Sequence, residues 1–300
     1  MTKLVPWNKN PLEIGDVPVA IISLSDAKAR RATLIERGFT PELVNGFWSA
    51  CDMRGLADSE LQPYSQYHDI KKLYGRPPVS AELGCFFSHS AIIKWLSEQD
   101  TISQIIVFED DVVPEAFSNF EKLTGLVNAL AEVADSGKSF ICHLGPRPAQ
   151  WELAFTRKIS KNSANVPGLD LFDFVDKKAR LWRAHAYIMS KGAADRYTQI
   201  VNQTGFLADD WHFIADQTMS RLIIANPPLF TQDEEVESTI DPENKRILIM
   251  NSANASRKKF GLLDGLKFFR IFRKCKIFFK RFIKYLLVSF YRALPGRSIY

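Results

Sequence analysis

The chain has 300 residues, 46% of them hydrophobic and 24% charged, with a formal net charge of +5. This composition excludes a disordered or low-complexity polymer and leaves room for one large α/β domain or two small ones. The charge is unevenly placed: residues 257–300 carry +12 and the rest of the chain carries −7, so an acidic body is joined to a basic tail.

Residues 18–24 (Pro-Val-Ala-Ile-Ile-Ser-Leu) predict a buried strand. A helix over 27–37 follows, capped by Ser25 or Asp26 and ended by Gly38. Nucleotide-binding domains often begin this way, but no Gly-x-Gly-x-x-Gly follows the strand, which excludes a dinucleotide fingerprint. Arg30 and Arg31 lie early on this helix, where they either reach a phosphate or are simply solvated. Residues 40–79, with Pro41, Gly46, Gly55, Pro63, Gly75, Pro77 and Pro78, predict a long irregular loop. In it Tyr64, Tyr67, His68 and Tyr74 either line a sugar or base site or pack the loop down. Ser80 is the expected cap of a helix over 81–99, with Leu83, Phe87, Ala91 and Trp95 on one face. Ser88 and His89 lie inside it without a Gly-x-Ser-x-Gly elbow, which argues against a serine hydrolase.

The chain is organised around residues 105–113, Ile-Ile-Val-Phe-Glu-Asp-Asp-Val-Val. The apolar run predicts a buried strand, and it ends in Glu109, Asp110 and Asp111. Buried unpaired carboxylates are too costly to hide, so these acids belong at the carboxyl edge of a sheet, where α/β proteins bind ligands. Three adjacent acids repel one another unless a cation sits among them. Hard ions such as Mg²⁺ or Mn²⁺ suit carboxylate oxygens and often accompany phosphate. The competing reading is an ordinary acidic loop after a strand.

Pro114 opens a predicted helix over 115–135, and a strand over 140–144 follows, together a right-handed βαβ unit. His143 is expected near the same edge as the acids. Residues 146–180 give little regular signal. A strand over 182–190, a helix over 191–201 and an apolar stretch over 223–230 complete the body. Between the last two stand Asp209 and Asp210 beside Trp211 and His212, either a carboxylate–aromatic sugar site or a helix cap.

From residue 262 to 293, Phe and other apolar residues recur at steps of three or four, with Lys and Arg opposite. This pattern predicts an amphipathic helix lying on an anionic membrane surface. The Phe stripe and the lack of a nucleic-acid motif argue against nucleic acid as the partner. The expected domains are therefore 1–256, catalytic, and 257–300, membrane-associating. Residues 1–15 contain no long apolar segment, so no secretory signal is expected, and no run of about 18 apolar residues predicts a membrane span. Cys51, Cys85, Cys142 and Cys275 lack metal-ligand or redox spacing, which points to a reducing compartment.

Several blocks resemble glycosyltransferase family 25, the lipooligosaccharide glycosyltransferases. They are Val19-Ala-Ile-Ile-Ser-Leu24 with Arg30-Arg31, Glu82-Leu-Gly-Cys-Phe-Phe-Ser-His89 and Val107-Phe-Glu-Asp-Asp-Val112. Ala186-Tyr-Ile-Met-Ser, Gly192-Ala193 and residues 228–232 extend the likeness over about residues 17–240. The resemblance implies an α/β, GT-A-type Rossmann-like domain. It implies inverting transfer of galactose or glucose from a UDP-sugar, with Mn²⁺ or Mg²⁺, to a lipid-linked or lipid A-core oligosaccharide. Glu109 and Asp111 then correspond to metal ligands. Leu24, Arg30, Arg31, Glu82, Ser88, His89 and Asp110 fall in blocks expected to bind the donor. Asp209 or Asp210 is the candidate base, with His89, His143 and His212 behind them. The expected location is the cytoplasmic face of the inner membrane, held there by the tail. A phosphoryl-transfer enzyme using the same acids and a noncatalytic membrane-bound adaptor are the alternatives.

Overall fold

The computed structural model describes residues 13–14, 17–116, 119–135, 138–145, 156–159, 166–174 and 181–233. The predicted domain boundary and the tail with its helix over 262–293 lie outside the described residues.

The chain opens with a two-residue strand β1 (Glu13–Ile14) and the fully buried β2 (Val17–Ser23). Helix α1 (Lys28–Glu36) has no side-chain cap, and neither Ser25 nor Asp26 serves as one; Gly38, at φ 94°, ends it in the left-handed region that glycine enters freely. Residues 40–79 are more ordered than their prolines and glycines predict. They form α2 (Pro41–Asn45), β3 (Trp48–Ser49), α3 (Asp58–Leu61) and α4 (Ser65–Tyr74). Thr40 with Pro41 starts α2, and Gly75 at φ 71° stops α4, so the residues read as loop breakers are helix punctuation.

Helix α5 (Ser80–Ser97) begins one residue earlier than expected, with Val79 at the cap position; the Glu82 carboxylate accepts the Val79 N–H (3.0 Å) in place of a serine cap. The central strand β4 (Gln104–Glu109) ends at the first acid. After a turn through Asp110 and Asp111, β5 (Val112–Pro114) starts a separate two-stranded ribbon, so Pro114 lies in a strand rather than opening a helix. Helix α6 (Asn119–Asp135) and β6 (Phe140–His143) follow. The weakly patterned middle yields β7 (Thr156–Lys158) and β8 (Asp170–Phe174). Next come β9 (Ala186–Ser190), α7 (Lys191–Val201), α8 (Trp211–Gln217), β10 (Arg221–Asn226) and β11 (Phe230–Gln232).

The main sheet has the order β1-β2-β4-β9-β6-β10-β8-β7, with β3 also on β2; β11 pairs β5 in the ribbon. Strands β2 and β4 are parallel, as are β6 and β10, while β9 runs antiparallel to both β4 and β6. Strands β4 and β6 run parallel in the same sheet, with β9 inserted between them, so the βαβ connection joins strands that are not immediate neighbours.

Alternation along β4 builds two cores. Ile106 and Phe108 face α1 and α6, with Leu34, Leu123 and Leu130. Ile105 and Val107 face α5, α7 and α8, with Ile92, Ala193 and Trp211. Burial on both faces explains why β4 reads as a continuous apolar run. Met53, Leu61, Tyr67, Ile70, Leu83 and Leu207 form a third cluster that packs the 50–74 segment down. No helix among the described residues is long and apolar enough to cross a membrane.

Candidate active site

Parallel pairing brings the carboxyl ends of β2 and β4 to one edge, placing Ser23 and Leu24 beside Glu109. Because β9 is antiparallel, Arg183, Ala184 and His185 reach that same edge from their own side, and the Glu109 N–H donates to the His185 carbonyl at 2.9 Å. A cleft of about 830 Å³ opens there. Glu109, Asp110 and Asp111 line its floor, with Arg30, Cys85, His89, Arg183 and Asp209 among its walls.

The three acids have different surroundings. Asp110 is fully engaged: Ser23 Oγ donates to Oδ2 (2.7 Å) and Arg30 Nη1 to Oδ1 (2.9 Å). Arg31 acts one step behind it. Its guanidinium lies 4.0 Å over the Phe47 ring and donates to Ser23 Oγ (2.9 Å), to the Leu24 carbonyl and to the Ser25 carbonyl (3.0 Å). Arg31 thus braces the strand-to-helix turn, while Arg30 is the member of the pair that lines the cleft.

Glu109 Oε1 lies 3.0 Å from His89 Nε2, and His89 Nδ1 lies 3.0 Å from Tyr187 Oη. Burial works against the Glu109 charge, but the His89 hydrogen bond and the fields of His89, His185 and Arg30 outweigh it and hold its pKa below the usual carboxylate range.

Asp111 is the uncompensated member. Gln232 Nε2 donates to Oδ2 (2.8 Å), whereas Oδ1 is buried with no hydrogen-bond partner among the described residues. Burial, then the charges of Glu109 and Asp110, push its pKa from 3.8 up to about 7, against the weaker pull of Gln232 and Arg30. An orphaned carboxylate oxygen beside two further acids is what a hard divalent cation satisfies, so these residues fit Mg²⁺ or Mn²⁺.

Another part of the cleft is built on Arg183, which takes φ 80° although it is not glycine. Its carbonyl accepts from Trp211 Nε1 (2.7 Å) and from His143 Nε2 (2.6 Å), and its N–H donates to Asp209 Oδ2 (3.3 Å). His143 Nδ1 accepts the Gly145 N–H (3.1 Å), which fixes the neutral tautomer with the proton on Nε2. Burial, then the neighbouring His185, lower the His143 pKa to about 3, so this histidine stays neutral and serves as a prop. Non-glycine residues hold such a backbone angle only where surrounding structure imposes it, commonly at functional sites.

The other candidates separate by position. Asp209 lines the cleft. Asp210 is buried as the N-cap of α8, its Oδ1 accepting from the Phe213 N–H (3.2 Å) and Oδ2 from Tyr74 Oη (2.9 Å). Ser88 Oγ links the Cys51 N–H (2.8 Å) to the Gly84 carbonyl (2.7 Å). Glu82 receives both Arg76 guanidinium nitrogens at 2.7 Å. Tyr64, Tyr67, His68, Tyr74 and His212 do not line the cleft; His212 packs 4.9 Å from the Phe174 ring.

Residues 17–212 match the family model described as glycosyltransferase family 25 (LPS biosynthesis protein). The chain belongs to glycosyltransferase family 25. No curated protein sequence matches it. A solved structure described as apo UDP-glucose pyrophosphorylase aligns over 80% of this chain and 81% of its own, at 10% identity and a TM-score of 0.27. A likeness that low carries no argument. The matched span runs from β2 to the start of α8, so every residue of the cleft floor lies inside it.

Contributors to this transferase's cleft that the sequence did not single out include Ser23, Cys85, Arg183 and Gln232. Ser23, Cys85 and Gln232 sit inside blocks that resemble the family, and that placement was their available signal. Arg183 has none, because a left-handed residue between a Trp and an Ala leaves no trace in composition.

Proposed function

We propose that the transferase moves a hexose, galactose or glucose, with inversion from a UDP-sugar to a lipopolysaccharide or lipooligosaccharide acceptor. In this reading the body is a GT-A-type, Rossmann-like domain with the donor at the carboxyl edge of β2 and β4. The observation that carries it is the Oδ1 of Asp111, buried with no hydrogen-bond partner among the described residues, beside Glu109 in a cleft that Asp209 also lines.

Glu109 and Asp111 would hold the divalent cation; when bound, it supplies Lewis-acid stabilisation of the charge on the departing diphosphate. His89 keeps Glu109 ionised and oriented. Ser23 and Arg30 hold Asp110 at the floor, where it helps position the donor. Asp209 takes the proton of the acceptor hydroxyl as that oxygen bonds to the anomeric carbon and the bond to diphosphate breaks. The Arg183 amide fixes Asp209, so the base is aimed by a carbonyl clamp on its neighbour. Asp210 is committed to capping α8, which favours Asp209 of the pair.

A panel of UDP-sugars with Mn²⁺ tests the reading through ligand-induced shifts in melting temperature, which report binding without an acceptor. Stabilisation by one UDP-sugar with metal supports it. Stabilisation by ATP alone would favour phosphoryl transfer, and stabilisation by neither a noncatalytic adaptor. Membrane attachment is a separate proposal, resting on the +12 charge and Phe periodicity of residues 257–300. Removing those residues should move the protein from the membrane fraction to the soluble fraction; a truncated protein that still pellets overturns it.

A further inference from the structure

We propose that Cys85, His89 and Glu109 form a second metal site, selective for a thiophilic divalent ion of the zinc class, which shares Glu109 with the proposed hard-cation position but does not use Asp111. Cys85 and His89 are four residues apart on α5, so one helix face presents both to the end of β4. One ligand atom from each of the three residues lies within 4.8 Å of the other two. Cys85 Sγ is 3.9 Å from Glu109 Oε1, and His89 Nε2 is 3.0 Å from that same oxygen. Tetrahedral zinc with sulfur, imidazole and carboxylate ligands separates such atoms by about 3.4–3.6 Å, so both contacts are within about half an ångström of it.

His89 is equipped for both states. Without an ion, Nε2–H donates to Glu109 and Tyr187 Oη–H donates to Nδ1. With an ion, the Nε2 lone pair turns to the metal and Nδ1–H donates to Tyr187 instead. The hydroxyl both donates and accepts, so the buried imidazole keeps its outer partner in each tautomer. Cys85 is half-buried and lines the cleft, so an ion enters from the cleft and keeps a fourth position open to water. Binding forms the metal–sulfur bond and releases the thiol proton to solvent. The sulfur separates this site from the Asp111 position: thiolate selects zinc-class ions, and an all-oxygen set selects magnesium and manganese.

Cobalt(II), a coloured stand-in for zinc, tests this in the metal-stripped full chain. The expected result is a thiolate-to-cobalt charge-transfer band in the near ultraviolet that saturates at one equivalent and is discharged by Zn²⁺. Cys85→Ser should abolish the band, His89→Ala should weaken binding by tenfold or more, and Asp111→Asn should leave it intact. Circular dichroism establishes that each variant is folded. No band in the wild-type chain, or a band that survives Cys85→Ser, overturns the site. The readout needs neither donor nor turnover, so it stands or falls apart from the transferase reading.

Discussion

Replacing Asp111 by Asn should stabilise the metal-free protein at neutral pH, although the residue belongs to the proposed cation site. The folded protein holds the Asp111 proton up to about pH 7, against an ordinary value of 3.8. The stability contributed by that proton is complete below the ordinary value and is lost as pH rises through the folded one. About three pH units at about 1.4 kcal/mol each give at most about 4 kcal/mol of destabilisation above pH 7. Asparagine keeps an oxygen for Gln232 Nε2 and presents an amide donor, not a second anion, towards Glu109. Thermal melts of both proteins in chelator, from about pH 4 to about pH 8, measure the effect, each kcal/mol being worth roughly 1.5–2 °C in a chain of this size. The two curves should coincide at the acid end, diverge through the middle and run parallel above about pH 7. The variant should also lose the stabilisation that Mn²⁺ gives the wild type. An Asn variant that melts below the wild type at pH 8, or a gap that ignores pH, would refute the argument.

Asp209→Asn should lower transfer by 10²- to 10⁴-fold, the usual contribution of a general base, with UDP-sugar affinity within about twofold of wild type; near-normal turnover would remove Asp209 from that role. At Arg183 the ordinary ranking should invert: Arg183→Gly should exceed Arg183→Ala in stability by about 1 kcal/mol in denaturant melts, because only glycine is relaxed at φ 80°. At Gly84, inside α5, alanine is normally the better helix former, yet a Cβ there would come within 2.6 Å of the Cys51 carbonyl. Gly84→Ala should therefore cost about 1–3 kcal/mol, read as a lower unfolding midpoint.

Much of the scaffold was legible because its signals are local. The apolar run of β4 and its terminal acids, the helix over 191–201 that becomes α7 and the pattern of β2 all depend on neighbours in the chain. What sequence could not convey was pairing. Nothing in residues 182–190 announces that β9 inserts antiparallel between β4 and β6. Pro114 reads as a helix start because proline favours the first turn, yet it also tolerates a short outer ribbon, and pairing with Phe230 decides the matter. At the site, the acids were visible but not their division of labour. Asp110 is held by Ser23 and Arg30, Glu109 by His89, and Asp111 is left exposed to its neighbours' charge. Those distinctions come from contacts spanning 20 to 121 residues of sequence.

The interposed β9 also governs how this protein is made. Until residues 186–190 have left the ribosome, β4 and β6 each present a bare row of backbone amides and carbonyls towards the gap between them. Such rows recruit other strands, so a nascent chain stalled before residue 186 carries two adhesive seams through its middle. Fragments ending there should aggregate, and passing α7 closes only one side: β10 covers the other edge of β6 and ties β8 to the sheet, and β11 pairs β5, so a soluble truncation has to reach past residue 232.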